Sequence, residues 1–225
     1  NEIWGYVSNG LFQSDEEAAA HANQSYLYGG KWGAGDVRYE DLNGDNKIND
    51  GDNTLGKPGD RKVIGNSTPR FAYGITAGCE YKGFDFEMFW QGIGKRDWFP
   101  GQGSAAYWGF TNEWQTPLTT SLDYWTTENR NAFFPKPGWN NGGNRVASTR
   151  YLQSASYCRL KSVTLGYTIP KAILDKVGVS RLRVYITGEN LFTFTPLIKA
   201  FDPETLNNLT YPINKKFAVG LNLTF

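Results

Sequence analysis

The sequence predicts an all-β fold: an antiparallel transmembrane β-barrel segment of about six strands with long extracellular loops. Three observations predict it: the pattern of the last strand, the lengths of the connections, and the placement of the aromatic residues. Phe217, Val219, Leu221, Leu223 and Phe225 occupy every second position, while Ala218, Gly220, Asn222 and Thr224 take the other face. Successive side chains of a strand point to opposite faces, so this strand has one apolar and one polar side. A terminal strand of a soluble protein can alternate too. One that alternates to its last residue and ends on Phe is also what closes many bacterial barrels, where the apolar face meets lipid and the polar face a wet lumen. On that reading the five odd-numbered residues are lipid-facing.

The other strands follow in order. Residues 3–12 read as a strand. Ser14 is a plausible N-cap for a short helical patch over 14–22. Phe71, Tyr73, Ile75, Ala77, Cys79 and Tyr81 alternate with small and polar residues, and the turn Lys82-Gly83 leads into Phe84, Phe86, Met88 and Trp90. This is a hairpin with a tight turn. Alternation resumes at Tyr157. Cys158 and Leu160 have one parity and Val163, Leu165, Tyr167 and Ile169 the other, so a β-bulge is expected near Lys161. Residues 170–178 read as one or two helical turns with Pro near the start and Gly at the end. Leu182, Val184, Ile186 and Gly188 then alternate, with Phe192 and Phe194 continuing the apolar face.

The connections are alternately long (13–66, 94–150 and 195–214) and short (82–83 and 170–180). Neighbouring antiparallel strands reverse direction, so the long ones share a side, as the outer loops of bacterial barrels do. Tyr81, Phe84, Tyr167 and Phe225 fall near the short-turn ends, and Phe71, Trp90, Phe192, Phe194 and Phe217 near the long-loop ends. Two aromatic girdles are expected of a barrel in a bilayer. Core aromatics of a β-sandwich are the alternative.

Composition narrows the classes. The 225 residues carry a formal net charge of +1, without the excess of positive charge a nucleic-acid surface needs. Mean hydropathy is −0.51 and no run approaches the roughly 20 apolar residues of a helical span. Aromatics reach 16%, with 8 Trp, and suit strands and girdles more than helices. Cys79 and Cys158 both fall in strands; a disulfide or two free thiols are open. The first residues show no basic start and no continuous apolar run, so either the chain is cytosolic or it begins inside a longer precursor.

One motif is suited to a metal. Asp41, Asn43, Asp45 and Asp52 place oxygens at positions 1, 3, 5 and 12 of an EF-hand-type loop, with the Lys47 carbonyl at position 7 and Ile48 at position 8. Position 6 is Asn46, and Asn tolerates a left-handed backbone better than most residues. These are candidate calcium ligands in a structural role; a metal-free Asn/Asp/Gly turn is the alternative. Trp98, Trp108, Trp114, Trp125 and Trp139 form a candidate substrate or partner surface, or else the packed core of an ordered loop. No residue set suggests catalysis. His21 stands without a second His or Cys, and 101–104 lacks the Lys of a phosphate loop. Asp85 and Glu87 alternate with apolar residues and are expected to point into the lumen.

Residues 156–167 (SYCRLKSVTLGY), 182–194 (LRVYITGENLFTF), 81–91 (YKGFDFEMFWQ) and the final GLNLTF resemble the C-terminal part of SusC/RagA-type TonB-linked (TonB-dependent) outer-membrane transporters. So do EIWGYVSNGLFQ near the start and GDVRYEDLNGDNKIND over 35–50. Cys158 and Asn46 depart from the residues usual there. The resemblance implies the last six or so strands of a 22-stranded barrel, a plug and a TonB-contacting segment elsewhere in the protein, and a SusD-like surface lipoprotein as lid. It implies glycan or peptide uptake across the outer membrane of a Bacteroidetes-type Gram-negative bacterium, energised through TonB. A soluble calcium- and carbohydrate-binding β module is the rival reading. The two part on whether protein covers the odd-numbered face of the terminal strand.

Overall fold

The structure is a computed structural model that describes residues 1–109, 116–138, 142–175, 178–206, 211 and 213–225. Its strands are β1 (Glu2–Tyr6), β2 (Ser8–Leu11), β3 (Val37–Tyr39), β4 (Arg61–Asn66), β5 (Arg70–Tyr81), β6 (Phe84–Lys95), β7 (Asp97–Trp98), β8 (Gln153–Ser154), β9 (Tyr157–Thr168), β10 (Arg181–Glu189), β11 (Thr193–Phe194) and β12 (Lys216–Thr224). Three short helices intervene: α1 (Asp15–Ala20), α2 (Ala105–Trp108) and α3 (Lys171–Leu174).

Five long strands form one antiparallel sheet in the order β12-β10-β9-β6-β5, and β11 adds a two-residue pairing onto β9. The hairpin from β5 to β6 turns through Lys82 and Gly83, at φ 48° and 86°. Two consecutive left-handed residues make the turn whose twist matches that of its strands, and Gly takes the second position without a Cβ clash. In the β6–β9 ladder Phe89 faces Ser162 and Trp90 faces Leu160, which leaves Lys161 as the extra residue of a bulge. That bulge resets the parity between Leu160 and Val163, as the alternation required.

The register aligns the apolar positions of all five strands. Tyr81, Phe84, Tyr167 and Val184 lie in successive rows, as do Cys79, Phe86, Leu165, Ile186 and Val219. The opposite face carries Asp85, Glu87, Thr164, Arg183, Tyr185, Thr187 and Asn222. Thr164 and Thr187 share a hydroxyl hydrogen bond of 2.9 Å there. Two glycines shape this polar face. A Cβ on Gly166 would collide with the carboxylate of Asp85 and the guanidinium of Arg183, and one on Gly220 with the Tyr185 ring. Gly166 lets Arg183 of β10 reach across β9 to Asp85 of β6, where its Nε donates to Oδ1 at 2.9 Å.

Apart from α3, which lies in the short connection between β9 and β10, the rest of the described residues gather at one end of the sheet as a cap. β1 pairs β4, β2 pairs β3, and β7 pairs β8. Tyr39, Tyr107 and Tyr151 are fully buried in its core, with Ile48, Phe134, Leu197 and Phe201. All three long connections contribute described residues to this core. Ser14 caps α1 by accepting from the Glu17 amide at 3.2 Å, as expected. The cap is fastened to the sheet at Arg159, whose guanidinium lies 2.6 Å from Asp202 and 2.9 Å from Glu204, while Lys161 reaches Glu204 at 3.0 Å.

Three expectations change. Residues 3–12 are not one strand of the long sheet. The chain breaks at Val7 and its halves pair different partners, because the Tyr6 amide and carbonyl are taken by Ala147 and Thr149 (2.8 and 3.0 Å). Residues 13–66 hold β3 and β4, not loop alone. Phe192 and Phe194 do not continue β10: the chain turns at Asn190 (φ 54°) and docks on β9.

Candidate functional site

Among the described residues none covers the outward face of the sheet. Phe217, Val219 and Leu221 are 72, 76 and 67% exposed, and Leu223 and Phe225 are exposed too. Ile75, Leu165, Val184 and Ile186 continue this face across the sheet, all exposed. An uncovered apolar surface this extensive is rare on a soluble monomer and marks contact with a partner or a membrane. Aromatic residues bound it at both ends. Near the short turns Phe84 packs on Tyr167 with centroids 4.5 Å apart, beside Tyr81 and Phe225. At the cap end Trp90 stacks on Phe194 at 6.2 Å, beside Phe71, Phe192 and Phe217. Eight residue steps separate Phe217 from Phe225. At about 3.4 Å per step and a tilt of roughly 40°, they span roughly 21 Å along a barrel axis, close to the apolar band of a membrane barrel.

The five strands thus have the two-faced construction of a membrane-barrel wall. Asp85 and Glu87 lie on the polar face, as expected. Cys79 and Cys158 are free thiols.

Of the tryptophans singled out, Trp114 and Trp139 lie outside the described residues. Trp108 and Trp125 are only 4 and 6% exposed, so they are packing residues of the cap and not a presented surface. Trp108 donates to the Gly101 carbonyl at 2.8 Å and meets Tyr107 and Tyr151 edge-on, each at 4.8 Å. Trp98 is half-buried against Phe201 at 4.9 Å. Aromatic rings prefer such tilted contacts because their faces are negative and their edges positive. Burial pushes the phenols of Tyr39, Tyr107 and Tyr151 well above their ordinary value, the mark of a core that excludes water. His21 is structural: its Nε2 sits 2.7 Å from the Tyr39 carbonyl and its ring packs on Phe12.

The acidic loop takes the backbone shape its motif needs. Asn46 is left-handed at φ 60° and Ile48 is fully buried. Asp41 accepts from the Gly44 and Asn46 amides (2.7 and 2.8 Å), Asn43 from Asp45 (2.9 Å), and Asp45 from Lys47 (2.8 Å). Desolvation raises the Asp41 carboxyl, but the amides of Asn46, Gly44, Asp45 and Asn43 together outweigh it and hold it below its ordinary value. Asp52, expected to close the ligand set, pairs instead with Lys57 at 3.3 Å. Among the described residues no three His, Cys, Asp or Glu come together as around a metal. Sequence reasoning missed Asp60. It is fully buried and accepts from the Leu42 and Asn49 amides at 2.9 Å each, tying the two ends of the loop together. Its only signal was an acidic residue outside the motif.

The wall and its cap define the class: a segment of a membrane β-barrel with a packed cap at one end of its strands. The chain is 29% identical to TonB-dependent receptor P3 of Formosa agariphila over 99% of its own length and 22% of that protein's. It is 27% identical to TonB-dependent receptor P26 of the same organism over 85% of its length. The chain therefore spans about a fifth of the curated relatives it matches. Among solved structures, the RagAB peptide transporter matches the whole chain with a TM-score of 0.69 at 19% identity, over 23% of that structure's chain. A second RagAB structure, the peptide importer in its open-open state, matches with a TM-score of 0.65. No protein-family model matches. The relatives and the shared fold bear out the resemblance to part of a SusC/RagA-type TonB-dependent transporter.

Proposed function

We propose that this chain supplies a stretch of barrel wall and outer loops to a TonB-energised nutrient importer of the outer membrane. The observation that carries the reading is the bare apolar face of the sheet, bounded by aromatics at both ends and backed by a polar face. A soluble sugar-binding module would have to cover that face. The partners are the rest of the barrel and its plug, TonB through another part of the protein, outer-membrane lipid, and a SusD-like surface lipoprotein over the cap. The cargo is a glycan or a peptide. Transport needs no catalytic group from this segment; its residues shape a wall and an outer surface.

The test sets two neighbouring positions of β12 against each other in the full-length protein. An arginine on the lipid face of a barrel costs about 2–4 kcal/mol near the midplane. Leu221→Arg should reduce heat-modifiable barrel in the outer-membrane fraction severalfold, while Asn222→Arg should leave it near wild type. Equal yields for the two variants would sink the lipid-facing assignment.

We also propose calcium as a structural ligand of the acidic loop, held by Asp41, Asn43, Asp45 and the Lys47 carbonyl, with Asp52 turning in from Lys57. What favours it is the left-handed turn at Asn46, the backbone requirement of such a loop, with Ile48 buried beside it. Millimolar calcium should slow proteolysis at 41–52 in wild type and not in Asp45→Ala. Protection that is the same with calcium and with chelator counts against it.

A further inference from the structure

A cleft of about 540 Å³ opens in the cap between residues 9–17, residues 130–132 and Arg150. Its charged lining is three guanidiniums, Arg38, Arg130 and Arg150, against one carboxylate, Glu17. Locally that is a formal +2, where the whole chain carries +1. Glu17 is already spent: it pairs with Arg38 and accepts from the Gln13 amide at 2.6 Å. Arg150 is pinned by neutral acceptors, its Nε and Nη2 donating to the Phe133 carbonyl at 3.1 and 3.0 Å. Arg130 donates from Nε to the Thr127 carbonyl at 3.4 Å. Among the described residues neither Arg130 nor Arg150 has an ion-pair partner. Arg130 is exposed and Arg150 half-buried, so water solvates both, but with no anion beside them their charges add in one concavity and make its potential favourable to an anion. Gly10 (φ 104°) sits at the register shift of β2 against β3, with open space where a Cβ would be, so the wall is left low there.

We propose that this cleft binds a carboxylate-type oxyanion on a small solute, with Arg130 and Arg150 as the charged donors. Among the described residues Arg130 keeps both Nη groups free to meet two oxygens at once, which gives orientation as well as attraction. Arg150, with Nε and Nη2 on the Phe133 and Ala132 carbonyls, adds its charge and its Nη1. The volume lies in the range of small-molecule sites and is too small for a protein face. A carboxylate reaches such a site on a uronic-acid sugar or on an acidic peptide. The proposal rests on the importer reading only in placing the cleft on the outer side.

The experiment uses the full-length protein in detergent, titrated calorimetrically with tri-galacturonate, tri-glutamate and neutral maltotriose. One of the two acidic probes should bind at least tenfold more tightly than maltotriose, and the tighter one names the source. Raising salt from 50 to 500 mM should weaken that binding severalfold, since ion pairs in an open cleft are screened. Arg130→Gln should lose about tenfold, and Arg130→Lys less, because the charge remains but the fork does not. Arg150→Gln should lose as much or more; its carbonyl contacts make Arg130→Gln the cleaner variant. Lys62→Gln on β4 should change nothing. Failure of both acidic probes, or equal binding by wild type and Arg130→Gln, overturns the proposal. Heat-modifiability of each variant, read separately, reports on the barrel, so a failed anion site and a failed importer reading are told apart.

Discussion

Among the described residues none covers the outward face of the five-stranded sheet, and Leu221 stands two-thirds exposed; the cap buries Tyr39, Tyr107 and Tyr151 completely. Sheet and cap have nearly opposite solutions to the same problem. The sheet satisfies its backbone through inter-strand ladders and leaves its apolar side chains to whatever lies outside. The cap has little regular structure and must bury its apolar groups in itself, so it gathers aromatics from segments more than a hundred residues apart. Order in the sheet is local and repetitive, whereas in the cap it is tertiary. The two should respond differently to the same kind of injury.

The largest expected effect is in the cap. Trp108→Ala removes a ring that touches Tyr107, Phe134 and Tyr151, and truncating such a core aromatic costs about 3–5 kcal/mol. Protease sensitivity over 94–150 should rise at least tenfold while the heat-modifiable barrel persists in the full-length protein. Simultaneous loss of both would break the division drawn here.

Next in size is a charge on the outward face. Ile75→Arg should cost about 2–4 kcal/mol of barrel stability in bilayers, and Thr76→Arg, one step along β5, well under half of that. Urea titration of the refolded full-length barrel in lipid vesicles measures both. In detergent, where the apolar face is differently solvated, the gap should narrow.

A smaller effect is expected at the hairpin. Gly83→Ala puts a Cβ at φ 86° and within 2.9 Å of the Thr168 carbonyl, against a left-handed penalty of about 1–2 kcal/mol. Barrel refolding should slow, with cap proteolysis unchanged. The smallest is the pH response of the acidic loop. The Asp41 carboxyl is held below its unfolded value. Its contribution is therefore full above the ordinary Asp value of about 3.9 and is lost as pH falls through the lower folded value. Amide exchange over 41–52 should accelerate below pH 4 in wild type more than in Asp41→Asn.

The same contrast explains what could be read from sequence. The β5–β6 hairpin, the bulge at Lys161 and the terminal strand were legible because each is a period of two or a break in it. The girdles followed from where those periods end. The cap was not legible in this way. Tyr39, Tyr107 and Tyr151 have no common spacing, and β3, β4, β7 and β8 are too short to establish a period. The split at Val7 was hidden because residues 3–6 and 8–11 both favour extended backbone, and only the contacts of Tyr6 with Ala147 and Thr149 force them apart. Burial of Trp108 and Trp125 was open for the same reason: a tryptophan in an aperiodic segment looks alike whether it stacks on a ligand or on its neighbours. Charges suffer likewise. Arg130 and Arg150 are twenty positions apart and neighbour each other only because the cap folds.

Gly166 and Gly220 flank Tyr185 in one row of the polar face. Where they lack side chains, their neighbours lie down: Arg183 crosses the first and the Tyr185 ring the second. The result is a low-relief tiling, in which bulky groups are recessed between strands instead of standing out from them. The relief of this row is therefore set as much by the strand beside each glycine, through Arg183 and Tyr185, as by the glycines themselves.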